Sequence, residues 1–193
     1  MFKLTQLRQD HAQMARLLHV LSLQHRYLIT GSRPNFRLMR EACDYIQSYM
    51  DEYIIPLEAL CGDRLAERNA DAGQRLCALA LEYRELRHRL KDLNGDLDSI
   101  LMDAVVPMDV FSERLKEYLD AHRHYLTRER AHLFPLLDAS FNEREYLELR
   151  EALPIQARTR LLRLQADYPE LYAEFREPLA KGALFQISLA GRL

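Results

Sequence analysis

Leu76, Leu79, Tyr83, Leu86, Leu90, Leu93, Leu97 and Ile100 recur at alternating steps of three and four residues, and this run decides the fold. Such spacing lines one face of an α-helix with apolar side chains. Three other stretches repeat it. One carries Leu4, Leu7, His11, Met14, Leu18, Leu21, His25 and Leu28. A second carries Phe36, Met39, Cys43, Ile46, Met50, Tyr53, Leu57 and Leu60. The last carries Met108, Phe111, Leu115, Tyr118, His122, Tyr125, Glu129, His132 and Leu136. Each helix has one stripe to bury, and short links between long helices make sequential neighbours antiparallel. The pattern predicts an all-α, up-down-up-down four-helix bundle.

The connections follow from the residues that end helices. Gly31-Ser32-Arg33-Pro34 stops the first helix and starts the second, with Ser32 as the expected cap. Pro56 lies inside the second stripe and predicts a kink. Gly62 to Gly73 reads as the next connection, and Asn94-Gly95 as a weak spot in the third helix, which runs to about Met102. Pro107 opens the fourth helix, which reaches Leu137. Asn142 to Glu145 resembles a capping box for a short helix ending near Leu153. Pro154 and Pro169 then punctuate a C-terminal helical extension, giving a bundle over 1–153 and an extension over 154–193. The apolar tail Ala183 to Leu189 docks on its own bundle or forms a homodimer contact.

Composition narrows the class. The chain has 193 residues, 48% of them hydrophobic, with seven prolines, six glycines and no tryptophan, as expected for one helical domain. A net charge of -2 with closely mixed signs implies neither nucleic acid nor an anionic membrane as partner. Cys43, Cys61 and Cys77 form no C-x-x-C pair and read as thiols in a reducing compartment. No run reaches membrane-spanning length, so the expectation is a soluble cytoplasmic protein.

The stripes break into polar residues at one level. With alternating helix directions, His11, Glu58, Tyr83, Tyr125 and Glu129 fall at the same end of the bundle, and His122 lies one turn deeper than Tyr125. His25 falls at the opposite end. Buried polar groups need hydrogen-bond partners or a metal. Inward Glu and His residues of a bundle are the material of di-iron sites.

Here the sequence resembles a family. Gln9-Asp10-His11 on the first helix is similar to the hemerythrin-like, or HHE cation-binding, domain. So is the stretch Tyr125 to Pro135, which ends Leu133-Phe134-Pro135, where the family writes H-x-x-x-E-E-x-x-L-F-P. Ile54-Ile55-Pro56-Leu57-Glu58 lines up with H-H-P-x-E, and Glu82-Tyr83 with E-H. The resemblance covers roughly residues 4 to 150. It implies iron ligands at His11, Glu58 and Glu129. It also places Ile54, Tyr83 and Tyr125 where the family has ligand histidines. Isoleucine cannot bind metal, and imidazole is the ligand suited to iron in such sites.

Two readings follow. In one, the cluster is a degenerate di-iron site held by hydrogen bonds, in a non-enzymatic sensor, regulator or interaction module with a protein partner the sequence does not identify. In the other, His11, Glu58, Tyr83, Tyr125 and Glu129, with His122 in reserve, hold one iron or a pair through tyrosinate oxygens. The protein then responds to oxygen, nitric oxide or iron. A remote reading comes from another class. His88-Arg89-Leu90-Lys91 resembles the H-x-x-K core of histidine phosphotransfer domains, although Asp92 stands where a small glycine is expected. No Gly-rich phosphate loop, nucleophile elbow or zinc H-E-x-x-H is present, so no enzyme activity is expected.

Overall fold

The structure of the chain, a computed structural model, describes residues 5–152 and Tyr168. Among them four long helices pack in a ring. α1 is Thr5–Ile29. α2 runs as Phe36–Tyr49, a π-helical turn Met50–Ile54, and Ile55–Ala66. α3 is Ala70–Leu101. α4 runs as Met108–Arg128, a second π-helical turn Glu129–Leu133, and Phe134–Ser140. A short α5, Glu143–Ala152, leans on the end of α2. Contacts join α1 to α2, α2 to α3, α3 to α4 and α4 back to α1, as in an up-down-up-down bundle. No helix among the described residues is long and apolar enough to cross a membrane.

The helix ends show where the turn chemistry was read correctly and where it was not. α1 closes on Gly31 at φ 74°, with the Ser32 N–H reaching back to the Tyr27 carbonyl at 2.9 Å. That left-handed closure suits glycine, which has no Cβ to clash. The cap of α2 is Asn35, whose side chain accepts from Leu38 N at 3.0 Å, and not Ser32. Asparagine and serine are equivalent cap chemistries, and the residue next to the first helical turn takes the role.

The expected connection from Gly62 to Gly73 shrinks to residues 67–69. Both glycines are helical, and Asn69 caps α3 by accepting from Ala72 N at 3.2 Å. Gly73 packs against the end of α2, where an added Cβ would meet the Ala66 backbone at 3.4 Å. Asn94-Gly95 does not break α3. Asn94 is buried and donates to Gln47 Oε1 at 2.6 Å, so a tertiary partner overrides local propensity. The fourth helix runs on to Ser140, beyond the expected Leu137.

The capping box at α5 forms in both directions. Glu145 N donates to Asn142 Oδ1 at 3.0 Å, and Asn142 N donates to Glu145 Oε2 at 2.9 Å. Tyr168 packs edge-on to Tyr45 and donates to Asp44 Oδ2 at 3.1 Å, both on α2. The rest of the C-terminal extension and its apolar tail lie outside the described residues.

The two π turns matter most for the site. Each ends two residues before a proline, Pro56 or Pro135. Proline has no N–H for the carbonyl four residues back, and its ring clashes with that carbonyl. The chain widens there instead: Ile55 N donates to Met50 O, and Phe134 N donates to Glu129 O. A π turn adds one residue to the helical repeat. The buried positions of α2 therefore widen from Met50 to take in Ile54, Glu58, Cys61 and Leu65 beside the expected Tyr53 and Leu57. In α4 they pass from Glu129 to Leu133 and Leu137, while His132, expected on the stripe, is exposed.

Candidate functional site

The register shift in α2 turns Glu58 inward, an orientation that its place beside the Leu57 stripe position left open. Glu58 is 7% exposed and accepts from the Tyr125 hydroxyl at 2.9 Å. α2 and α4 are diagonal partners, so this bond crosses the core. Burial pushes the Glu58 carboxyl up to about 7, against the smaller opposing effect of the Tyr125 hydrogen bond. Cys61 lies near enough to feel the Glu58 charge, and burial raises its thiol to about 12.

Tyr83 and Tyr125 meet edge to face with ring centroids 4.7 Å apart. Burial raises both hydroxyls well above the usual phenol range, and the charges of Glu129 and then Glu58 add to it. Both phenols therefore stand neutral in the protein as it is. His122 is fully buried. Its Nδ1 shares a 2.9 Å hydrogen bond with the Tyr118 hydroxyl. Its Nε2 has no partner in either tautomer. Burial, and secondarily the nearby His11, lowers His122 to about 3, so the ring is neutral.

His11 completes the group from α1. A carbonyl only accepts, so its Nε2–H donates to Leu126 O, at 2.9 Å. The same nitrogen lies 3.9 Å from Glu129 Oε2. Phe134 stacks edge-on to the His11 ring at 5.5 Å.

These side chains enclose a small cavity of about 10 Å³, room for about one water. His11, Tyr83, His122, Tyr125 and Glu129 line it, and so do Ile54 and Tyr49. Five of the six residues expected from sequence thus share one space. Glu58 does not line it and is joined through Tyr125. Tyr49 was not anticipated. It lies one residue off the Met50 stripe position, and the π turn that follows it leaves no hydrophobic signature of its own. Tyr118, read as an ordinary core residue, supports His122. His25 is far off, paired with Ser112 Oγ at 3.2 Å.

The donors do not fit an imidazole-rich pair of irons. Ile54 is buried in the wall. The two imidazoles have one nitrogen each committed, to Leu126 O and to Tyr118. Among the described residues, no three His, Cys, Asp or Glu side chains are placed together to hold a metal ion. The Nε2 of His122 is a buried nitrogen with no hydrogen-bond partner among the described residues. His88 is exposed on α3, between arginines paired with Asp51, Glu85 and Glu117. Cys43, Cys61 and Cys77 are free thiols.

Residues 3–137 match the family model described as the hemerythrin HHE cation binding domain. Searches of curated proteins and of solved structures return no match.

Proposed function

Because the chain belongs to the hemerythrin HHE cation binding domain family, we propose that it is a member whose buried centre is a hydrogen-bonded network in place of a di-iron pair, and that it serves as a non-enzymatic regulatory or interaction module. The observation that carries this is the Tyr125–Glu58 hydrogen bond across the bundle diagonal, with Ile54 in the adjoining wall. A buried carboxyl raised to about 7 and capped by a neutral phenol is stable without a cation. Removing a metal from an ordinary ligand set would leave several charged groups facing one another. Here Glu58 is paired with Tyr125, His122 Nδ1 with Tyr118, and His11 lies 3.9 Å from Glu129, while His122 Nε2 is left without a partner.

That nitrogen favours a second reading. His122 Nε2, Glu129, Tyr83 and Tyr125 line the same space, and this set suits a single ferric ion with tyrosinate ligands. Metal content and the visible spectrum separate the two. The protein is purified without an affinity tag and reloaded anaerobically with ferrous iron. The network reading expects substoichiometric iron and no visible band after exposure to air. Near-stoichiometric iron with a visible tyrosinate band, both lost in the Glu58→Ala, Glu129→Ala double variant, overturns it in favour of the second.

A further inference from the structure

Outside the buried centre, α1 and α4 leave a groove of about 300 Å³ between them. That is the lower end of the range for small-molecule sites. Its floor is apolar: Ala15 and Leu18 from α1, Leu126 from α4. Its polar lining is basic residues together with Thr127. Arg123 and Arg130 come from α4, His19 from α1, and none of the described lining residues is acidic. Arg130 and His19 make no hydrogen bond or ion pair among the described residues. Arg123 is held by Ser22 Oγ and by Asp120 at 3.6 Å. Asp120 itself does not line the groove. Two guanidiniums line the groove beside its apolar floor, Arg123 with Asp120 as a partner outside the groove and Arg130 with none among the described residues. Guanidinium recognises carboxylate and phosphate through paired N–H donors, and an apolar floor takes the body of a molecule and not its charge.

We propose that this groove binds a small organic oxyanion, a carboxylate or phosphate ester, with its charged group between Arg123 and Arg130 and its apolar body on Leu18 and Leu126. The site adjoins the buried centre, because His11 and Leu126 line both the groove and the inner cavity. It is independent of the metal question, since neither arginine belongs to the buried network.

The test uses the full chain and four probes: phenyl phosphate, benzoate, inorganic phosphate and benzyl alcohol. Binding is measured by calorimetry, and the histidine ring signals are followed by nuclear magnetic resonance. The expected result has the two aromatic anions binding, with affinity falling as salt is added. Inorganic phosphate and benzyl alcohol should each bind about tenfold more weakly, lacking one half of the recognition. Arg130→Gln should weaken the aromatic anions by about tenfold. Arg130 is exposed and makes no hydrogen bond or ion pair among the described residues, so this variant should keep its fold, and an unchanged melting temperature checks that. The His11 and His19 signals should move on titration while those of His25 and His88 stay. Two outcomes overturn the proposal: neither aromatic anion binds at millimolar concentration, or Arg130→Gln binds as tightly as the native chain. Movement at His25 or His88 in place of His11 and His19 overturns it as well. So does benzyl alcohol binding as well as benzoate.

Discussion

Glu58→Gln isolates the energetics of the buried centre. The Glu58 carboxyl is held near 7 against an ordinary 4.5, so the native state keeps a proton that the unfolded chain releases between those values. Proton linkage then makes the native chain lose stability as pH rises through that window. The shift is about 2.5 units, equivalent to roughly 3 kcal/mol when complete. Glutamine has the shape of the protonated acid, can still accept from Tyr125, and has no proton to lose.

The variant should therefore match the native chain near pH 4.5 and exceed it by up to roughly 3 kcal/mol above pH 7.5. His122 acts in the opposite sense. Its lowered value makes both proteins lose stability as pH falls from 6.5 toward 3. Because it is common to both, subtracting the two curves removes it. The assay is urea denaturation followed by circular dichroism at half-unit steps from pH 4.5 to 8. A gap that stays constant within about 0.5 kcal/mol across that range refutes the reasoning. A gap that runs the other way, with glutamine losing ground at high pH, means that the ionised carboxylate is favoured. Only a cation or a strong donor at Glu58 would do that.

Tyr118→Phe should lower stability by about 1–2 kcal/mol in the same denaturation assay, because His122 Nδ1 would join Nε2 in having no partner. Gly95→Ala should raise the melting temperature, by roughly 0.5–1 kcal/mol of stability. The position is inside α3, exposed, and has nothing within 4 Å of a new Cβ. Brief iodoacetamide treatment of the native chain should label Cys77 alone, read by peptide mass spectrometry. Cys43 and Cys61 are buried with thiols near 12, and they should react only after denaturation.

The sequence was most legible where hydrophobic spacing was regular. The α1 and α3 stripes, from Met14 to Leu21 and from Leu76 to Leu97, are buried as the three-and-four rhythm predicts. It failed where backbone geometry departs from that rhythm. A continuous α-helical reading puts Leu60 and His132 inward, whereas Leu60 is half-buried and His132 is exposed. The signal was present in Pro56 and Pro135, but proline suggests a kink more readily than a wide turn. Asn94 was misjudged for another reason, since its role is set by Gln47 on a different helix. The cluster itself was found because polar residues on a stripe stand out. Its wiring, Tyr125 to Glu58 and Tyr118 to His122, depends on rotamers that no spacing reveals.

The wide turns in α2 and α4 also act as a store of slack. Each is a single surplus residue, held at the level of the cavity on helices that face each other across the diagonal. Take one residue out of Met50–Ile54 and the turn would tighten toward an ordinary α-helix, with the faces before and after it keeping their bearings. Glu58 would stay opposite Tyr125, and the same deletion in Glu129–Leu133 would leave Phe134 beside His11. Take one residue out of the ordinary α-helix on either side and everything beyond it would rotate by about 100°. The two wide turns are therefore the places where these helices can lose a residue without rewiring the centre.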